Sequence, residues 1–538
     1  MGTMRANAQR WIWWTAGSLL LAVAALALAA WIAARRIEPF LRGRLIAELS
    51  QRFHAPVSLE SFHVRVADGL WVEGEGLRIG VPGADLVQNQ QKAMIEADRF
   101  RFRAPLHYNP ALPVHASKVE IEGLRVDLPP RSHFAHSGAE QRSPAPRLHF
   151  LIDALECRNA TLLLETDRPG KLPLAVSIAE LKLANVSQQG AMQFEAQLTN
   201  PKPAGELRTA GSFGPWQTQD PGETPLEGSF RLTNADLASF RGIAGRLDAE
   251  GRYRGTLRAL EVMGQTRTPD FRLTHFGASE PLYTRFHATV DATNGDTQLQ
   301  TVEATLGHSF FLVNGEVVRA VQQGRSAGHA IALNVLVRRG RLEDFLLLAS
   351  HGGPPLLTGD LALKTTLEIP PGDVPVHQRM KLNGTFQLDN ALFTSEKIQG
   401  WIGQLSARGQ GRPDEARLPD ASQTRSAMQS DFSLTNAVMA LPDLQYRVLG
   451  AEIALKGSYG LDGGALNFDG AVKTQAPLSA MLGGWKGSML RPFDRFFRKQ
   501  GSPGTAIPLH VRGTEKQPQF SVEVMGMKID LPAHMGGQ

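Results

Sequence analysis

The side chains able to do chemistry lie scattered along this chain of 538 residues. His133 and His136 sit in a Pro-rich stretch, with His107, His115 and His149 close by in sequence. Zinc needs three or four ligands at set separations, and neither a cysteine pair, a His-Glu-x-x-His motif nor a carboxylate cluster accompanies them. They read as solvated histidines. No Gly-x-Ser-x-Gly elbow, phosphate-binding Gly-Lys-Ser/Thr loop or glycine fingerprint joining strand to helix occurs, so neither an enzyme activity, a metal nor a cofactor is assigned. Cys157 is the sole cysteine, which excludes an intramolecular disulfide, and its place in the strand-like stretch Leu155 to Leu164 predicts an inert buried thiol.

What remains is the chemistry of apolar and basic surfaces. Leu478, Met481, Leu482, Trp485, Met489, Phe493, Phe496 and Phe497 recur at helical spacing, accompanied by Lys486, Arg491, Arg495, Arg498 and Lys499. A basic amphipathic helix of this kind lies on an anionic membrane surface or closes the end of a groove, with Trp485, Phe493, Phe496 and Phe497 as contacts; Pro492 kinks or splits it. The plainer reading is a helix capping the last strands with its charges in water. The net charge of +5 is spread along the chain without a basic run, so nucleic acid is not expected as a partner.

The elements that position these side chains change character along the chain. Trp11 to Ala34 is apolar and uncharged, long enough to cross a hydrocarbon core, with Trp11, Trp13, Trp14 and Trp31 suited to the two interfaces. It predicts a retained single-pass anchor; the alternative is a signal peptide cleaved near Ala27-Leu28-Ala29. Arg5 and Arg10 precede the run while Arg35, Arg36, Arg42 and Arg44 follow it. Counting charge alone would keep the large domain inside. Long domains translocate despite such charges, however, and the leading arginines are what a signal-anchor requires, so the bulk of the chain is expected in the periplasm of a bacterium. Ile37, Phe40, Leu41, Leu45, Leu49 and Phe53 then mark one amphipathic helix over 35–56. Beyond Pro56 the period becomes two, as in Val119, Ile121 and then Leu124, Val126, Leu128, which predicts half-buried strands. Asn294-Gly295, Asn383-Gly384 and Asp462-Gly463 are read as hairpin turns of an antiparallel meander. At about 12 residues per strand and turn this makes roughly 40 strands and at most ~190 Å of sheet. Pro129 to Pro146, Trp216 to Pro225, Ile369 to Val376 and Gly409 to Ser426 read as loops.

A phrase recurs within the strands. Gly228-Ser-Phe230-Arg-Leu232-Thr-Asn234-Ala235 returns as Gly384-Thr-Phe386-Gln-Leu388-Asp-Asn390-Ala391 and as Phe432-Ser-Leu434-Thr-Asn436-Ala437. Phe and Leu two apart share one face, and Asn is expected to end the strand in a turn. Phe230, Leu232, Phe386, Leu388, Phe432, Leu434, Leu466 and Phe468 are therefore the candidates for an apolar lining.

From Gly384 to Val524 the chain resembles the AsmA-like C-terminal region. The phrases that carry the likeness are GTFQLDNALF from Gly384, IQGWIGQLSARGQG from Ile398, DFSLTNAVMALPDLQYRVLGAEIALKGSYGLDGGALNFDGAV from Asp431 and GTAIPLHVRGTEKQPQF from Gly504. The resemblance implies an inner-membrane anchor and a periplasmic β-groove linked to phospholipid movement and outer-membrane integrity. Elementary physics gives a compatible picture. A long sheet with one apolar face must bury or fill that face, and each CH₂ kept from water is worth about 0.8 kcal/mol, so a curled gutter suits acyl chains. The same alternation also fits a closed sandwich core.

The expected architecture is mainly β, a long curved antiparallel sheet forming an apolar groove after one transmembrane helix and a short amphipathic helix. Its divisions are a cytoplasmic 1–10, the anchor 11–34, the helix 35–56, groove segments 57–128 and 148–383 around a Pro-rich loop 129–147, the AsmA-like region 384–526 and a tail 527–538. The partners expected are phospholipids, the inner membrane and an outer-membrane or envelope protein. A scaffold for outer-membrane protein assembly, working through exposed strand edges, is the competing function.

Overall fold

The structure is a computed structural model. It describes the chain except residues 1–37, 40, 52–54, 68, 81–92, 105–113, 129–149, 166–170, 187–189, 202, 216, 218–219, 241, 275–277, 323, 349–352, 373, 416–423, 483–490, 492–504, 515–516, 525–526 and 532–538. The expected anchor, the Pro-rich loop, and Trp485, Phe493, Phe496 and Phe497 lie outside the described residues. Among those described, no helix is long and apolar enough to cross a membrane.

Period-two alternation does produce strands. The described residues form 26 of them, β1 (Val57–Ser58) to β26 (Met527–Leu531). The count falls short of about 40 because strands run up to 17 residues, in β17 (Arg325–Arg341), where the expectation assumed short ones. Residues cluster into two compact units, the first made of Met1–Asp167, Pro173–Thr199 and Arg208–Gly228, the second of Arg168–Leu172, Asn200–Leu207 and Ser229–Gln538.

The first described element of the first unit is helix α1, residues 38–39 and 41–51, which places Leu41, Leu45 and Ile46 on a core of Leu59, Phe62, Val64, Val72 and Phe100. Burying each large side chain of this kind contributes about 1.5–3 kcal/mol. The core lies on β2 (Ser61–Ala67), β3 (Gly69–Ile79) and β4 (Ile95–Ala104), paired antiparallel. One pairing departs from the expected meander: β5 (Val114–Leu128) and β6 (Phe150–Leu164) run parallel, Val114 opposite Phe150 and Leu128 opposite Leu164. A two-residue turn cannot join parallel strands; residues 129–149, Pro-rich and long, supply the connection that pairing requires.

In the second unit each strand from β12 (Arg246–Thr256) onward pairs antiparallel with the next, up to β26. Four short helices follow strands: α2 (Leu342–Leu348), α3 (Val376–Arg379), α4 (Glu396–Gly409) and α5 (Leu478–Leu482). Helix α4 was not foreseen, although Ser395 caps it by accepting the Ile398 N–H and Ile398, Ile402 and Leu405 follow helical spacing.

Two turn assignments fail. Asn294-Gly295 and Asp462-Gly463 do lie between strands, but Gly384 sits inside β19 (Lys381–Phe393), where a Cβ would come within 2.3 Å of the Lys364 carbonyl oxygen. Asn of the repeated phrase is left-handed in all three copies, φ 53° at Asn234, 54° at Asn390 and 51° at Asn436. Only Asn436 turns the chain; Asn234 and Asn390 lie within β10 (Pro225–Asp236) and β19. There the conformation makes an irregularity of the kind that bends a strand and raises its twist, as the register shift between Leu388 and Ala391 records.

Candidate functional site

One face of the second unit's sheet is apolar and the other charged, because side chains alternate along every strand. On β12, Leu247, Ala249 and Tyr253 turn to one side and Arg246, Asp248, Glu250, Arg252 and Arg254 to water. The charged face is laced with exposed pairs such as Arg231–Glu250 at 3.2 Å and Arg285–Glu303 at 3.3 Å, which water screens so that they add little stability. They keep that face wet.

Register decides what the apolar face can do. Tyr253 on β12 stands opposite Val262 of β13 (Ala259–Leu273), then Ala288 of β14 (Ser279–Asp291), Leu299 of β15 (Asp296–Leu306), Gly315 of β16 (Ser309–Gln322) and Leu333 of β17. The row continues through Leu367 of β18 (Leu357–Ile369), Leu382 of β19, Leu434 of β20 (Ser426–Thr435), Met439 of β21 (Val438–Val448), Tyr459 of β22 (Ala451–Gly460) and Leu466 of β23 (Leu466–Thr474). Twelve strands thus present one row without a charged side chain, about 50 Å long at ~4.8 Å per strand. Ala288 and Leu434 are buried and the other ten are half-buried, so the lane keeps apolar surface within reach of an occupant.

All eight apolar candidates lie on this face. Phe386, Phe432, Leu466 and Phe468 meet in one cluster with Leu441, Leu509 and Val511, and Leu388 joins a second cluster that shares Leu363 and Phe386 with the first. Phe230 and Leu232 belong to a separate cluster with Ala235 and Ala249. Leu388 and Leu434 are 1 % exposed, and Phe432 and Phe468 are also buried, so these hold the sheet together. The accessible lane residues Leu299, Leu333, Leu367 and Met439 were missed, since their alignment depends on pairings the alternation does not reveal.

Two phenylalanines of the apolar face pack over glycines. A Cβ on Gly251 would come within 2.7 Å of the Phe230 ring, and one on Gly457 within 2.7 Å of the Phe468 ring. Glycine on one strand therefore makes room for the ring of its neighbour, covering bare backbone that would otherwise weaken the sheet.

Helices wall one end of the strands. Helix α4 sets Ile402 against Tyr446, Val448 and Ala451, and α2 packs Phe345 near Phe311, ring centres 6.0 Å apart. At the base of α2 the buried Asp344 carboxylate accepts the Ser309 hydroxyl at 2.6 Å and the His308 N–H at 2.9 Å. Burial, with Asp344 adding repulsion, pushes the nearby Glu280 carboxyl above its usual range. Ser309 is fully buried and bonded, which makes this a structural cap.

Among the described residues no group of three or more His, Cys, Asp or Glu is placed to hold a metal. Cys157 is fully buried and its thiol is pushed up to about 12, as expected of an inert side chain. No family model, curated protein or solved structure matches the chain.

Proposed function

We propose that this chain is an AsmA-like protein, anchored in the inner membrane with its bulk in the periplasm, that holds or conducts phospholipids along its apolar lane in support of outer-membrane lipid homeostasis. The observation that carries this reading is the twelve-strand row from Tyr253 to Leu466, uncharged along its length and half-buried at ten of its positions. Apolar surface of this extent is rarely left to water, and an acyl chain laid along it recovers about 0.8 kcal/mol per CH₂. The opposite, ion-paired face stays solvated, which suits a carrier exposed to the aqueous periplasm on one side. No step in such transport needs a catalytic group or cofactor.

The test is direct. The full chain, purified in mild detergent, is examined by native mass spectrometry and lipid extraction, beside a Leu333→Asp variant. The reading expects several phospholipids per chain, lost in the variant while circular dichroism stays unchanged. A folded, lipid-free native chain sinks it and favours the scaffold for outer-membrane proteins.

A further inference from the structure

The charged face of the second unit holds two aromatic rings in water. Among the described side chains only Tyr283 of β14 and Phe310 of β16 carry exposed rings, at 43 % and 49 % exposure. They stand on one row: Arg267 of β13 lies opposite Tyr283, Tyr283 opposite Thr305 of β15, and Thr305 opposite Phe310. Two strands apart, the rings are separated by roughly 9–10 Å of sheet, with only the short Thr305 side chain between them. The Arg267 guanidinium lies over the Tyr283 ring, 5.9 Å from its centre, and steadies it.

Both rings line a hollow of about 620 Å³ whose charges balance, Arg231, Arg267 and Arg285 against Asp248, Glu250 and Glu303. Arg231 pairs with Glu250 and Arg285 with Glu303, and the Gln265 amide donates to Glu250 at 2.8 Å. Nucleic acid or an anionic lipid headgroup is drawn by an excess of positive charge, which this hollow lacks. Paired ions and an amide offer fixed donors and acceptors to a neutral ligand rich in hydroxyl and amide groups. The negative face of an aromatic ring attracts the C–H face of a sugar.

We propose that this hollow binds a β-1,4-linked N-acetylhexosamine glycan, with one sugar on Tyr283, the next over Thr305 and a third on Phe310. Successive sugars of such a glycan are flipped, so every second one shows the same face to a surface, at a repeat close to the two-strand separation of the rings. Acetamido groups then meet the guanidinium of Arg285 and the carboxylate of Glu303 in the adjoining row, where these two residues lie opposite one another. The site is on the face opposite the lane and needs no lipid. For a periplasmic chain, as proposed above, the glycan is the cell-wall strand.

The test is isothermal titration calorimetry of the full chain, in a sugar-free detergent, with chitohexaose and with α-1,4-linked maltohexaose as control. The native chain is expected to bind chitohexaose and not maltohexaose. Tyr283→Ala with Phe310→Ala is expected to weaken binding at least about tenfold while circular dichroism stays unchanged, since both rings are exposed. Tyr283→Phe with Phe310→Tyr keeps both rings and is expected to keep binding. No binding by the native chain, equal binding of the two sugars, or full binding by the alanine pair overturns the site. The lane reading is unaffected by any of these outcomes, because lipid extraction tests it separately.

Discussion

Glu38 reaches from the start of the amphipathic helix to the edge of the sheet, where its Oε1 accepts the backbone N–H of Val64 at 3.1 Å. Arg42, one turn on, donates to the Leu59 carbonyl. An edge strand otherwise offers such groups to any passing strand, so the helix both covers the apolar end of the first unit and occupies its edge. Replacing Glu38 and Arg42 together with Ala is expected to cost about 1–3 kcal/mol and to promote self-association. Calorimetry and light scattering after size exclusion measure the two effects.

Lane residues should divide by accessibility. Leu434→Asp places a charge at a 1 % exposed site and is expected to unfold the second unit, a loss of more than about 4 kcal/mol. Leu367→Asp, at a half-buried site, is expected to cost about 2 kcal/mol or less while removing bound lipid. Urea denaturation followed by circular dichroism, paired with lipid extraction, tells the two classes apart; equal destabilisation counts against an accessible lane.

Gly384 has no space for a side chain. With Lys364 O only 2.3 Å from its Cβ position, Gly384→Ala forces the β18–β19 backbones apart and is expected to cost about 1–3 kcal/mol. A midpoint unchanged in urea speaks against the observed register.

At Asn390 the left-handed backbone and a 2.7 Å bond from its amide to the Asp360 carboxylate act together. Asn390→Gly keeps the conformation and loses the bond, while Asn390→Ala loses both. The expected costs are about 0.5–1.5 kcal/mol for Gly and a further ~1 kcal/mol for Ala, read from denaturation midpoints.

Glu280 supplies a pH signature. Burial and the Asp344 charge raise its carboxyl above the ordinary 4.5, so the fold binds this proton more tightly than the unfolded chain. The resulting penalty is full at neutral pH, shrinks as pH falls through the raised value and is gone below about 4.5. Glu280→Gln is therefore expected to raise Tm by about 1–2 °C at pH 7 and to leave it unchanged at pH 4 in differential scanning calorimetry.

Much of this protein is settled along the chain. Alternation at Leu247, Ala249 and Tyr253 against Asp248, Glu250 and Arg252 assigns strands and their faces, because side-chain direction in a strand is a local property with period two. The same locality made the amphipathic helix, the buried Cys157 and the eight apolar candidates legible. Tertiary structure decided the rest. Which apolar residues fall into one row from Tyr253 to Leu466 depends on ladders with bulges, such as that between Leu299 and Val302, and each bulge changes which residues oppose one another. The parallel β5–β6 pair and Asn390 within a strand likewise arise from contacts between segments far apart in the chain, which no local pattern encodes.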